Sequence, residues 1–214
     1  ADLWKQLAEQ VGLTGLIIPE QHGGADLGYV ELCIVAEEMG RALLCAPYLS
    51  TAVMSPNALL LCAGEVAQKE LLPGIAAGTT RATLAHAEKG WDLERIAMTA
   101  EEKDGAWLLE GVKANVLDGH TADVILVAAR TSSGIELFQV ASDAKGLTRE
   151  AIPPLDPTRK LARLEFNSTP STKISDGDIT DGLEKTLGLS LIALAAEQAG
   201  GAQWCLDTAS EYAK

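Results

Sequence analysis

Residues 96–130 read IAMTAEEKDGAWLLEGVKANVLDGHTADVILVAAR, and this stretch decides the class of fold. Ile96, Met98 and Ala100 alternate with more polar neighbours, and Trp107, Leu109 and Gly111 resume the alternation after Asp104-Gly105. A period of two places successive side chains on opposite faces of a strand, and Asp-Gly between two such runs is a strong hairpin signal. Val124 to Ala128 follows as a further strand, and Ile135 to Val140 and Ala162 to Phe166 repeat the pattern between Gly, Ser, Pro and Asp turns. Short strands joined by turns, with no helical crossover among them, predict an antiparallel sandwich or barrel rather than a doubly wound sheet.

On both sides of this stretch the period becomes helical. Leu3, Leu7, Ala8 and Val11 form one side of a short helix that Gly12 ends, and a loop with Pro19, Gly23 and Gly24 follows. Tyr29, Leu32, Cys33, Ala36, Met39, Gly40 and Leu43 recur at helical spacing, with Glu31, Glu37, Glu38 and Arg41 mostly opposite them. Ser55-Pro56 reads as the cap and first turn of a helix ending at Gly64, and residues 65–77 form another before Gly78. From Ile179 the stripe Leu183, Leu187, Leu191, Leu194, Ala195, Ala199, Ala202 and Leu206 predicts one long helix. Gly200 and Gly201 inside it cost roughly 1 kcal/mol each against alanine, so either the helix breaks there or a close-packed neighbour offsets the cost. The expected organisation is a helical domain over residues 1–78, a β domain over 79–175, and the first helix of a second helical domain over 176–214.

The chain has 214 residues, 47% of them apolar, enough for a sizeable core. Thirty acidic side chains against 17 basic ones repel phosphate backbones and anionic lipid, which argues against nucleic acid and membrane partners. An anionic ligand therefore needs a local positive or amide-lined site. Cys33, Cys45, Cys62 and Cys205 form no CxxC pair, so reduced thiols and a cytoplasmic location are expected. His22, His86 and His120 lie far apart and give no metal-ligand spacing.

Gly12-Leu13 through Gly15-Leu16, Ile18-Pro19-Glu20, Gly23-Gly24 and Glu37-Glu38-Met39-Gly40-Arg41 resemble the opening signature of the acyl-CoA dehydrogenase family. Gln68-Lys69-Glu70, Leu72-Pro73 and Gly78 resemble its next segment. Gly105, Trp107, Leu109, Gly111, Lys113, Val116, Gly119, Ala122-Asp123 and Ala129-Arg130 resemble its β-domain pattern, so the matches run in order along nearly the whole chain. The resemblance implies an N-terminal helical domain, an antiparallel β middle domain and the beginning of a C-terminal helical bundle. It also implies FAD as cofactor, an acyl-CoA thioester as substrate, and an electron-transfer flavoprotein as partner. A homo- or hetero-oligomer assembled through the C-terminal helical domain, and a place in fatty acid or sterol degradation, go with it.

In that chemistry a base takes the α proton, the flavin accepts the β hydride, and the protein orients the reactants and excludes water. The family's base is a glutamate in the C-terminal helical domain, so no catalytic residue is assigned within these 214 residues and the chain alone is expected to be inactive. The flavin-facing segments match Leu84 to Lys89 and Asn115-Val116-Leu117, which makes Leu84, His86, Ala87, Asn115 and Leu117 the candidate cofactor contacts. Ala87 and Leu117 stand where the family usually has hydroxyl-bearing threonines, and Asn115 where it has tryptophan. Gly90-Trp91-Asp92 replaces a longer glycine-rich turn, with Trp91 and Asp92 the candidate acyl-CoA contacts. Glu88 is expected to close a strand end rather than to act as a base, and Lys113 to be a framework residue. The competing readings are a noncatalytic subunit of a heteromeric dehydrogenase and a CoA-ester binding protein.

Overall fold

The computed structural model describes every residue except Ala1, Lys89, Trp91 and Asp92, so the expected acyl-CoA contacts Trp91 and Asp92 lie outside the described residues. The helical part comprises α1 (Asp2–Lys5, continued by a wide turn at Gln6–Gln10), α2 (Tyr29–Arg41), α3 (Ser55–Cys62) and α4 (Glu65–Ala76). Seven strands follow: β1 (Ala82–Ala85), β2 (Thr99–Lys103), β3 (Ala106–Leu117), β4 (Val124–Thr131), β5 (Gly134–Ala141), β6 (Leu147–Ile152) and β7 (Leu161–Lys173). The last element is α5, Thr180–Tyr212. No helix among the described residues is long and apolar enough to cross a membrane.

The strands close into a five-membered barrel. β4 pairs β5, β5 pairs β7, β7 pairs β3 and β3 pairs β2, all antiparallel, and a single parallel bridge from Thr99 to Arg130 joins β2 to β4. β1 adds to β4 in parallel and β6 to β7 antiparallel. The expected antiparallel barrel is therefore present with two parallel contacts; the long segment between β1 and β4 brings the chain back in the same direction. Asp104 and Gly105 make the expected two-residue loop, with φ of +53° and +77° and Lys103 opposite Ala106. Ile96 and Met98 are buried as expected but precede the strand, which begins at Thr99.

β4 explains why residues 124–129 look apolar throughout. Ile125, Val127 and Ala129 point into the barrel beside Phe138 and Phe166, while Leu126 and Ala128 face the helical layer. A strand buried on both faces loses its polar alternation. The second face belongs to a core that α3, α4, β1, β4, β5 and α5 all share, through Leu59, Leu72, Leu84, Leu126, Leu137 and Leu183. Hydroxyls stitch the layers: Thr51 Oγ1 donates to the Ala82 carbonyl at 2.9 Å, and Thr83 Oγ1 to the Leu117 carbonyl at 2.6 Å.

Ser55 departs from the sequence expectation. A wide helical turn at Leu49–Met54 runs directly into α3, and Ser55 has helical φ and ψ of −67° and −45°. Its hydroxyl donates backward to the Ser50 carbonyl at 2.8 Å instead of capping a helix start. The helix begins a turn and more earlier than the Ser-Pro pair suggests, because the preceding apolar segment is buried and its polar backbone must be satisfied internally.

α5 passes unbroken through Gly200 and Gly201, and α2 supplies the reason. A Cβ placed on Gly200 would overlap the Glu37 carbonyl, and one placed on Gly40 would overlap the Glu197 carbonyl. The two helices thus cross with each glycine seated on the other's backbone. Outside the crossing, Arg41 Nη1 donates to Asp207 Oδ2 at 3.1 Å. Gly200→Ala is expected to destabilise the protein by about 1–3 kcal/mol through this overlap. Gly188→Ala, in the same helix with nothing within 4 Å of its added carbon, is expected to stabilise by up to about 1 kcal/mol. Thermal and denaturant unfolding of the two variants checks the contrast, and equal midpoints would refute the crossing.

Candidate functional site

β1 and β3 lie side by side at the edge of the barrel beneath α5, and the sequence interrupts both. β1 ends at Ala85, and His86, Ala87 and Glu88 continue without ladder pairing. In β3 the register slips between Lys113, opposite Leu164, and Val116, opposite Ala162, so one extra residue is accommodated. Asn115 takes up the bulge with φ of +53°, a conformation that asparagine tolerates better than most side chains. Ala114 N–H then reaches across to the Ala87 carbonyl at 2.9 Å and ties the two interruptions together.

A cavity of about 520 Å³ opens between these segments and α5. Leu84, His86, Ala87, Asn115 and Leu117, which sequence reading grouped from two distant stretches, all line it. The structure adds Leu187, Ser190, Leu191 and Leu194 from α5, and Leu49 and Met54 from the turn before α3. Leu187, Leu191 and Leu194 belong to the stripe that predicted the long helix, but nothing in the sequence marked them, Leu49 or Met54 as site residues. Ser190 turns its hydroxyl proton to the Thr186 carbonyl at 2.7 Å, leaving this wall largely apolar.

An ion pair lies in the cavity wall, where Glu88 is a lining residue and Lys113 stands behind it. Lys113, with no exposed surface, places Nζ 2.8 Å from Glu88 Oε1 and 3.2 Å from the His86 carbonyl. Glu88 also accepts the Ala97 and Met98 amides at 2.9 and 3.0 Å. Burial pushes the Lys113 ammonium down to about 8, against the opposing pull of Glu88. Burial works against the ionised Glu88 carboxylate, but Lys113 and the two amides prevail and hold it below the usual range. The pair is ionised at neutral pH, and Glu88 ties the end of β1 to the Ala97 and Met98 amides. Burial, reinforced by the Lys113 charge, pushes His86 down to about 4, so its ring is neutral. The site's resources are therefore an apolar cavity, strand-end backbone groups, a neutral imidazole, a carboxamide and the Glu88 carboxylate, with the Lys113 cation close behind.

Residues 1–79 match the family model for the N-terminal domain of acyl-CoA dehydrogenases, and residues 82–169 match the model for their middle domain. The chain belongs to the acyl-CoA dehydrogenase family. Acyl-CoA dehydrogenase IpdE2 of Mycobacterium tuberculosis is 33% identical over 214 residues, which cover 99% of this chain and 53% of that protein. A solved Tcur3481-Tcur3483 steroid ACAD variant is 33% identical with a TM-score of 0.85, over 99% of this chain and 56% of its own. The ChsE4-ChsE5 complex of M. tuberculosis matches at 27% identity and a TM-score of 0.85, over 99% of this chain and 57% of the other. The chain spans about half the length of the curated full-length relatives it matches, such as IpdE2 at 53%.

The family's β1–β3 edge in this chain has a pH signature. Because the folded His86 titrates near 4 rather than 6.5, the unfolded chain binds its proton first as pH falls, and stability drops between about 6.5 and 4. That loss approaches about 1.4 kcal/mol per pH unit within the window. A His86→Gln protein is expected to show a shallower decline between pH 7 and 4.5 in urea melts, and an unchanged decline would refute the buried neutral imidazole.

Proposed function

We propose that the protein carrying this chain is an FAD-dependent acyl-CoA dehydrogenase that introduces an α,β double bond into an acyl-CoA thioester. The observation that carries the reading is the convergence of Leu84, His86, Ala87, Asn115 and Leu117 on one cavity in a chain of this family. Its volume, about 520 Å³, lies within the range of small-molecule sites, about 300–1,000 Å³. Its largely apolar lining suits the burial of a ring system. No Lys or Arg is among its described lining residues, so the phosphates of a dinucleotide belong beyond its mouth. Bound FAD would supply the hydride acceptor.

The chain's own residues would do the positioning. Leu84, Leu117, Leu187 and Leu194 exclude water, while the Ala87 backbone and the Asn115 carboxamide offer directed polar groups. Trp91 and Asp92 remain the proposed contacts to the acyl-CoA. Abstraction of the α proton needs a base near the substrate. Glu88 is held ionised by Lys113 and two amides, and His86 titrates far below neutrality, so the base is proposed to come from the other half of the protein. Electrons would pass to an electron-transfer flavoprotein. The likeness to the steroid ACAD favours a steroid-derived acyl group over a simple fatty acyl chain.

A second reading is a noncatalytic subunit of a heteromeric dehydrogenase. Ala87 and Leu117 favour it because neither offers the cavity a hydroxyl, and the likeness to the ChsE4-ChsE5 complex is compatible with it. Anaerobic reconstitution with FAD, followed by addition of acyl-CoA and steroid-CoA esters, separates the readings. Substrate-dependent bleaching is expected in the full-length protein and not in the 214-residue chain. Bleaching in both would require a base within the present chain, and silence in both would favour the noncatalytic subunit. Ala87→Thr and Leu117→Thr are each expected to tighten FAD binding by about 1 kcal/mol, roughly fivefold, if a hydroxyl is missing there. Spectroscopic titration of folded single and double variants measures the change.

A further inference from the structure

Lys113 is among the largest fully buried side chains of the described residues, and an ion pair with Glu88 accounts for only part of its bonding. Its second contact, 3.2 Å to the His86 carbonyl, falls on the peptide unit that carries the Ala87 N–H. The peptide is trans, so this N–H points away from the lysine. Ala87 lines the cavity, its own carbonyl is taken by Ala114, and among the described residues no acceptor takes its N–H. The peptide thus has a buried cation at its oxygen end and an open donor at its nitrogen end.

We propose that Lys113 is a positioning residue for the cavity's ligand: it fixes and polarises the His86–Ala87 peptide so that Ala87 N–H is a strengthened donor toward a ring whose negative charge grows on reduction. Hydrogen bonds in a chain reinforce one another by about 10–30% each, and low dielectric enlarges the effect of the charge behind them. The identity of the ring rests on the FAD reading above; the polarisation of the peptide does not. Burial also makes the charge removable, because Lys113 titrates near 8. The ionisable groups facing it, Glu88 and His86, titrate well below neutrality, so the lysine alone among them changes charge between pH 7 and 9.

His86-Ala87 is the single His-Ala pair in this sequence, so carbonyl-¹³C histidine combined with ¹⁵N alanine marks this peptide within the chain. In the full-length protein, its carbonyl and amide-proton NMR signals are expected to move together as pH rises from 7 to 9. Lys113→Met is expected to shift them in the same direction, and Lys113→Arg to leave most of the wild-type position. With FAD bound, Lys113→Met is expected to reduce the preference for reduced over oxidised cofactor about tenfold, a potential about 30 mV more negative for the two-electron couple. Peptide signals that stay still through the titration overturn the proposal, whether or not the methionine variant folds. Signals that move while the potential stays constant overturn the link to the ring. Failure of the wild-type protein to bind FAD removes the FAD reading instead, and the labelled peptide still decides whether Lys113 polarises it.

Discussion

The crossing of α2 and α5 at Gly40 and Gly200 sets the position of everything above the barrel. Each glycine admits the other helix's carbonyl where a methyl group would overlap it, so the two backbones meet directly. Such contact leaves little freedom to slide or roll, because any shift brings larger side chains into a space made for none. α5 is thereby laid across the β1–β3 edge, with Leu187, Leu191 and Leu194 facing the sheet. The cavity is the space left between an immobilised helix and two interrupted strands.

Those interruptions have a common logic. A regular ladder would have turned every polar group of β1 and β3 into its neighbour and presented only side chains. The bulge at Asn115 and the early end of β1 leave backbone groups near the cavity, and Ala114 N–H bonded to the Ala87 carbonyl holds them in register. In a protein with a net charge of −13, positive potential is scarce. Lys113 concentrates one positive charge behind the strand end, and its desolvation is compensated by Glu88 and the His86 carbonyl. A buried pair of this kind contributes little net stability against an apolar alternative, so its value lies in the orientation and field it imposes.

The order of helices, barrel and long helix was legible from periodicity alone, and the Asp104-Gly105 hairpin was legible to the residue. The family resemblance also named five residues that the fold brings to one cavity. Other features were not legible. β6, Leu147–Ile152, is half exposed and polar, so it offers no apolar alternation. The start of the helix before Ser55 was hidden because a Ser-Pro pair looks the same inside a buried helix as at its beginning.

The sequence by itself determined the periods, the turn at Asp104-Gly105 and the chemical types available at residues 84–88 and 113–117, because these depend on neighbours along the chain. It posed the question of Gly200 without answering it, since a glycine's cost is local and its compensation, the Glu37 carbonyl, lies 163 positions away. Likewise Lys113 looks like one cation among 17 until the barrel closes. Only the tertiary structure decided that it is buried against Glu88 and the peptide before Ala87, because burial and field are properties of what surrounds a group in space.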